Sequence, residues 1–290
     1  MKGGTMESYM NRISNTGIVP VVKILEKEDA YPLAKALLNG GIDVIEVTYR
    51  SEHATSAIQT ISEQLPDMLV GAGTVLSVEQ AKEAVEAGAK FIITPGFNTK
   101  VVQWCLDHDV EVYPGVSTAS EVEMALSMGL TQLKFFPAES SGGAKKLKDL
   151  SAPYANVHFM PTGGINTKNM HDYLSLPNVE AIGGSFMLPN DLVVAKDWDG
   201  IEALSRSAIK SLLDFQLIHV GINTNSPEES KQVTDTLCSL FHFTQYTKPK
   251  SNFAGVGFEV LHKKGRGENG HIGIYTCLLY TSPSPRDAHE

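Results

Sequence analysis

Through its first two thirds the chain alternates, eight times over, a short run rich in β-branched residues with an amphipathic stretch. The runs lie at residues 17–24, 43–50, 68–75, 91–96, 111–116, 132–138, 158–165 and 181–188. Between them, as at residues 30–38, 78–87 and 119–128, apolar side chains recur at three- and four-residue steps, several of these stretches following a Ser or Thr placed to cap a helix. Strands that each lead into a helix and return require crossovers, and right-handed crossovers lay the strands parallel. Eight such units within about 200 residues predict an α/β chain folded as a (β/α)₈ barrel of the TIM type. The structural rival is an open doubly wound sheet. The first run ends Val21-Val22-Lys23-Ile24 with no Gly-x-Gly-x-x-Gly turn after it, so a dinucleotide site has little support.

The rhythm changes after residue 214. A run at 216–222, a polar helical stretch at 226–241 and further runs at 243–247, 257–263 and 271–276 read as a small α+β unit rather than another repeat. The expected division is therefore residues 1–214 for the barrel, 215–276 for the appendage and 277–290 for a tail. That tail, with two prolines and no apolar periodicity, resembles the translation of a sequencing adapter, so it is set aside as non-native and the second unit is expected to be cut short there.

The 290 residues are 42% hydrophobic, ample for a large core, and carry a formal charge of −9, which argues against an electrostatic grip on nucleic acid or anionic lipid. Any phosphate recognised should sit on a small molecule. Cys105, Cys238 and Cys277 stand far apart in no paired spacing, which suggests a reducing compartment. With no apolar run of about 18 residues and no apolar leader core in residues 1–15, a cytoplasmic protein without membrane contact is expected.

One amine interrupts this apolar patterning. Lys134 lies inside Gln132-Leu133-Lys134-Phe135-Phe136, a run that otherwise reads as a buried strand. A buried lysine is either paired with a carboxylate, as a purely structural partner, or kept as an amine for nucleophilic work. Alternation along the second run sends Val44, Glu46, Thr48 and Arg50 to one face and Ile45, Val47 and Tyr49 to the other. The apolar set suits the surrounding helices, which leaves Glu46, Thr48 and Arg50 facing the barrel lumen near the C-terminal mouth, where enzymes of this fold work. The same parity brings Lys134 toward that lumen, a base beside an amine.

Two glycine-rich segments, Pro161-Thr162-Gly163-Gly164-Ile165 and Gly183-Gly184-Ser185-Phe186, occupy the seventh and eighth strand ends, where this fold recurrently binds phosphate. Thr162, Gly163, Gly164, Gly184 and Ser185 are thus candidates for substrate contact. Thr74, after the third strand, is placed to donate to a carboxylate, and Pro95, after the fourth, to shape the wall near the reacting carbon. His53, His108 and His158 are scattered, so no metal site is expected in the barrel.

Taken in order, Glu46-Val-Thr-Tyr-Arg50, Gly71-Ala-Gly-Thr-Val-Leu76, Ile93-Thr-Pro-Gly96, Lys134-Phe-Phe-Pro-Ala-Glu139, Pro161-Thr-Gly-Gly-Ile165 and Gly183-Gly-Ser-Phe-Met187 resemble the 2-keto-3-deoxy-6-phosphogluconate aldolases, over about residues 8–213. That family comprises class I aldolases on a (β/α)₈ barrel, usually trimeric, many also cleaving 4-hydroxy-2-oxoglutarate. The resemblance implies Lys134 as the Schiff-base residue, Glu46 as general acid/base, Arg50 and Thr74 at the pyruvyl carboxylate, and Gly163, Gly164 and Ser185 at the phosphate. It implies a homotrimer acting on a phosphorylated keto acid without a cofactor. Tyr49 stands where many members carry leucine and faces away from the lumen by parity. Left open are preference for the galactonate epimer or for 4-hydroxy-2-oxoglutarate, with Thr162 and its neighbours in place to tune the stereochemistry, and a catalytically idle phosphosugar sensor.

From about residue 216 the chain resembles one incomplete half of a vicinal-oxygen-chelate (glyoxalase-like) module, with His219-Val-Gly-Ile222 as its first strand and His271-Ile-Gly-Ile274 opening a later one. Complete modules often hold a divalent metal through histidine and glutamate. His219, Glu259 and His271 have suitable chemistry, but half a module is not expected to close a site, and a packing or regulatory appendage without metal is expected.

Overall fold

The computed structural model describes residues 8–265 and 267–276; Cys277 and the tail with its expected foreign origin lie outside the described residues. The chain divides into two compact units between Leu212 and Leu213.

Among the described residues the first unit holds nine strand segments: β1 (Ile18–Val22), β2 (Val44–Thr48), β3 (Leu69–Gly73), β4 (Phe91–Ile93), β5 (Glu111–Tyr113), β6 (Gly115–Val116), β7 (Gln132–Phe135), β8 (His158–Pro161) and β9 (Ile182–Gly184). Its helices are α1 (Tyr9–Thr16), α2 (Ala30–Asn39), α3 (Ala54–Gln64), α4 (Val78–Glu86), α5 (Thr99–Asp107), α6 (Ala119–Ser127), α7 (Gly143–Ser151), α8 (Met170–Leu174), α9 (Asn190–Ala195) and α10 (Trp198–Leu213). Every strand pair is parallel, in the orders β5-β4-β3-β2-β1-β9 and β6-β7-β8. The two arcs form one circuit of eight strands. On one side β5 and β6 are a single strand broken at Pro114, which has no N–H for the ladder but whose carbonyl accepts from the Lys134 N–H at 3.0 Å. On the other side a parallel bridge joins Thr162 to Gly183.

The circuit sorts side chains into two layers. Val19, Val44, Leu69, Phe91, Tyr113, Met160 and Ala181 fill the lumen as one buried cluster, while Ile18, Ile45, Val70, Ile92, Leu133 and Phe159 pack outward with the helices in a larger one. Met10 and Ile13 of α1 join the lumen cluster, at the level of the strands' N-terminal residues. This helix, which the sequence pattern did not announce, starts at Ser8, whose hydroxyl accepts from the Met10 N–H, and stops at Gly17 in the left-handed region. Packing thus fills the end of the barrel away from the mouth and leaves the C-terminal strand ends for chemistry.

In the second unit, β10 (Gln216–Asn223), β11 (Gln245–Lys248), β12 (Ser251–Ala254), β13 (Phe258–Leu261) and β14 (Gly270–Tyr275) form an open sheet ordered β11-β12-β13-β10-β14, with α11 (Pro227–Phe241) packed on β12 and β13. β10 pairs parallel with β13 and antiparallel with β14. The strand β12 is additional to the runs read from the sequence.

Among the described residues no helix is long and apolar enough to cross a membrane. Cys105 and Cys238 are free thiols, and burial pushes the Cys105 thiol up to about 12.

Candidate active site

Strands from both arcs define the site. β2 presents Glu46 inward and β7 presents Lys134 inward from another part of the circuit, so the two side chains meet in the lumen: Lys134 Nζ lies 3.0 Å from Glu46 Oε1 and 3.3 Å from Oε2. Glu46 is 0% and Lys134 4% exposed, so this is a charge pair withdrawn from water, the costly arrangement that stability alone does not favour. The Phe136 ring lies 5.4 Å from the amine.

Room for the carboxylate comes from β3. A Cβ at Gly73 would stand 2.0 Å from Glu46 Oε1 and 2.5 Å from its Cδ, so any side chain there would displace the base from the amine. Sequence reading missed this role, which shows only in the register, with Thr48↔Gly73 one layer above Glu46↔Gly71.

Above the pair, Thr48 is buried and donates its hydroxyl to the Val22 carbonyl at 2.7 Å while accepting from Arg50 Nε at 3.1 Å. Arg50 is thereby steered to the mouth, where it lines a cavity of about 210 Å³ with Ser185, Lys23, Val21, Leu188 and Asn190. Arg50 and Ser185, predicted from separate strands, share this cavity. Pro95 lies elsewhere on the rim, lining a second cavity of about 730 Å³ with Val75, Leu76, Thr94 and Phe97. Thr74, just past β3, is half-buried at φ 54°, a left-handed conformation that a threonine holds at a cost of order 1–3 kcal/mol.

At the glycine-rich ends, Gly163 and Gly164 take φ of 108° and 82°, and Gly164 and Ser185 are exposed. Gly163 accepts through its carbonyl from the Glu139 N–H, and Thr162 from the Ala138 N–H, so this loop is tied to the segment following Lys134. Tyr173 donates its hydroxyl to Glu139, and burial raises that phenol above its usual range. The Thr162 hydroxyl is buried with no partner among the described residues and lies against β9, 2.2 Å from where a Cβ at Gly183 would stand. Tyr49 packs outward as parity predicts, its hydroxyl 3.0 Å from Thr55 Oγ1.

The second unit has a constellation of its own. His219 Nε2 and His271 Nε2 lie 3.0 Å apart, and each is 3.4 Å from Glu259 Oε2. The incomplete module was not expected to close a metal site; in the structure β13 and β14 flank β10 on opposite sides and bring all three side chains to one point. Glycines make the space. His219 faces Gly273 and His271 faces Gly221 across the strands, and a Cβ at Gly273 or Gly221 would come within 2.4 or 2.1 Å of the opposing ring. Two imidazoles and a carboxylate are a donor set suited to a divalent ion such as zinc, and His271 Nδ1 is buried without a partner among the described residues. In the barrel the histidines stay apart; His158 pairs with Glu180 at 2.9 Å and His108 Nδ1 with the Trp104 carbonyl at 2.8 Å.

Comparison with known proteins places the first unit. The family model described as "Aldolase: KDPG and KHG aldolase" matches residues 9–204. The chain is 44% identical over 205 residues to the 2-dehydro-3-deoxy-phosphogluconate aldolase of Treponema pallidum, a match covering 71% of this chain and 98% of that one. It is also 44% identical over 199 residues to the KHG/KDPG aldolase of Escherichia coli K12, covering 68% and 93%. Among solved structures it resembles the KDPG aldolase of Legionella pneumophila, captured with pyruvate as a covalent carbinolamine intermediate, with a TM-score of 0.67 and 40% identity over 69% of this chain and 98% of that one.

Proposed function

The chain belongs to the KDPG and KHG aldolase family and is a carbon–carbon lyase, and from that premise we propose that it cleaves 2-keto-3-deoxy-6-phosphogluconate to pyruvate and glyceraldehyde 3-phosphate, with Lys134 forming the Schiff base and Glu46 moving the protons. The observation that carries this assignment of roles is the buried contact of 3.0 Å between Lys134 Nζ and Glu46 Oε1 within the segment the family model covers.

The geometry suits the chemistry step by step. A carboxylate touching the ammonium is placed to accept its proton, releasing the amine to add to the keto carbon. Glu46 returns that proton to the carbinolamine hydroxyl, which leaves as water to give an iminium, an electron sink next to the bond to be cut. Glu46 then takes the proton, through a water, from the hydroxyl whose carbon becomes the aldehyde. The carbon–carbon bond breaks, its electrons enter the iminium as an enamine, and protonation and hydrolysis of that enamine release pyruvate and restore the amine. Arg50 and Thr74 hold the carboxylate end. Gly163, Gly164, Gly184 and Ser185 receive the phosphate on backbone amides and a hydroxyl. Pro95 shapes the rim.

Incubation with pyruvate and borohydride tests this reading. A reduced adduct of one pyruvate on Lys134, located by mass spectrometry, is the expected result; an unmodified Lys134 in a protein that still cleaves the substrate would overturn the role given to it. Cleavage of 4-hydroxy-2-oxoglutarate to pyruvate and glyoxylate is proposed as a secondary activity. A cytoplasmic homotrimer is proposed on the resemblance, and sedimentation equilibrium checks the mass.

The convergence of His219, Glu259 and His271 favours a second, separate reading for the C-terminal unit, a divalent-metal site. These three residues would hold the ion, which would supply Lewis-acid polarisation of an oxygen ligand. The readout is direct: Co²⁺ added to the full chain should give a visible d–d spectrum that titrates at one ion per chain, and no spectrum would exclude the reading.

A further inference from the structure

The mouth cavity contains a cation that the reaction scheme leaves unused. β1 lies between β2 and β9 in the sheet. Its lumen face is set by Val19, which belongs to the buried lumen cluster, and parity carries that face through Val21 to Lys23. In the β1–β2 register Val21 stands beside Glu46, so Lys23, two residues on, stands at the level of Thr48, and the hydrogen bond from Thr48 Oγ1 to the Val22 carbonyl ties the chain at that point. In the β1–β9 register Pro20 stands beside Gly184, which brings Ser185 to the other flank of β1. Lys23 therefore stands between the end of β2, which carries Arg50, and the end of β9, which carries Ser185. All three line the same cavity of about 210 Å³.

Charge makes this placement informative. Among the described residues no ion pair engages Lys23 or Arg50, and none of the residues lining the cavity is acidic. Two cations and a hydroxyl on one cavity wall, with no carboxylate to neutralise them, form a receptor for an anion of more than one negative charge. An exposed lysine with a flexible stem and three donors suits a phosphate as a point charge, whereas the planar fork of Arg50 suits a carboxylate.

We propose that Lys23 is a specificity-determining residue that grips the terminal phosphate of the substrate from the β1 side, completing a subsite otherwise made by Ser185 and the glycine amides. The inference rests on the aldolase reading and deepens it. Lys23 stands above the amine and the base, so it acts on binding of the phosphate-bearing end and leaves covalent chemistry at Lys134 alone.

The test compares the wild type with Lys23→Gln and Lys23→Arg on 2-keto-3-deoxy-6-phosphogluconate and on the same sugar acid without phosphate. Loss of one charge-assisted hydrogen bond should raise KM for the phosphorylated substrate in Lys23→Gln by roughly tenfold or more, with kcat changed by less than about twofold. Cleavage of the unphosphorylated compound should keep its rate, inhibition by inorganic phosphate should weaken in parallel, and Lys23→Arg should restore most of the preference. Equal losses on both substrates would show a structural role, and unchanged constants on both would show a surface lysine; either overturns the proposal. Borohydride trapping of pyruvate on Lys134 is run on all three proteins. An adduct in every one, with no change in phosphate preference, defeats the role of Lys23 alone, whereas its absence from the wild type defeats the aldolase reading and this inference with it.

Discussion

The two units place reactive side chains on strands in opposite ways. In the barrel the reactive pair is enclosed: Lys134 and Glu46 sit at 4% and 0% exposure inside a closed circuit of strands. In the C-terminal unit His219, Glu259 and His271 lie half-buried on an open sheet, whose flanking side chains Leu217, Ile272 and Ile274 are 67%, 65% and 62% exposed. A closed circuit leaves water out of the pair, so the electrostatic interaction between amine and carboxylate is strong and either partner alone is costly. An open sheet leaves its donors reachable and individually tolerable. Coupling between reactive residues and fold stability should therefore be tight in the first unit and loose in the second.

The largest effect expected is at the amine. Lys134→Met should remove the pyruvate adduct and lower turnover by at least about 10⁴-fold, since the covalent route disappears with the nucleophile. It should also leave Glu46 buried without its cation, costing about 3–5 kcal/mol in urea unfolding followed by tryptophan fluorescence, as Trp104 and Trp198 both report on the barrel. Glu46→Gln should reduce kcat by about 10²–10⁴-fold while still allowing slow trapping of pyruvate. If Lys134→Met were as stable as the wild type, the contrast between enclosed and open chemistry would fail.

Gly73→Ala sharpens the same contrast without replacing Lys134 or Glu46. The new methyl would stand 2.0 Å from Glu46 Oε1, so the carboxylate must move. Displacement of about 1 Å should lower kcat by about 10²-fold. Overpacking of the lumen should cost about 1–3 kcal/mol. A full kcat in Gly73→Ala would mean that the carboxylate's present position is unimportant.

What could be read from the residues follows the same division. Alternation alone placed Glu46 and Lys134 on lumen faces, because a strand buried on one side by helices and on the other by its own circuit has only two directions for a side chain. Gly73 escaped because its role is an absence of atoms, visible only once β2 and β3 are in register. The break of the fifth strand at Pro114 escaped because a single proline within a short run does not say which neighbour loses a donor. β12 escaped because Ser251-Asn252-Phe253-Ala254 carries no β-branched residue and forms through pairing with β11 and β13 rather than through propensity. His219, Glu259 and His271 were legible as a donor set, but their convergence was not: β13, late in the chain, pairs beside β10, which no local pattern encodes.

In the second unit His219→Ala should weaken Co²⁺ binding by at least about 100-fold, read from the visible spectrum. Its effect on the barrel should be nil: the tryptophan-detected urea midpoint and the rate of aldol cleavage should match the wild type. A fall in aldolase rate on metal removal or in His219→Ala would break the picture of two chemistries kept in separate units.

The smallest effects concern two helix starts that share one design. At α6 the Thr118 hydroxyl accepts from the Glu121 N–H while Glu121 accepts from the Thr118 N–H, a closed capping box. At α11 Ser226 accepts from the Glu229 N–H, and Glu229 takes the Asn225 N–H. Burial works to raise the Glu121 carboxyl, but hydrogen bonds from Ser117 and Thr118 outweigh it and hold the group below its usual value of 4.5. A carboxyl depressed in the folded state stabilises fully above its unfolded value and loses that contribution as pH falls through the lower, folded one. Acid should therefore weaken the barrel below about pH 4.5, and Glu121→Gln should flatten that part of the profile. At neutral pH Thr118→Ala should cost about 1 kcal/mol by tryptophan fluorescence. Ser226→Ala should cost about 0.5 kcal/mol, read by amide exchange along α11, because Glu229 there bonds the Asn225 N–H and does not close a box on its own N-cap. Costs in the reverse order would mean that closing the capping box does not govern how strongly the cap is felt.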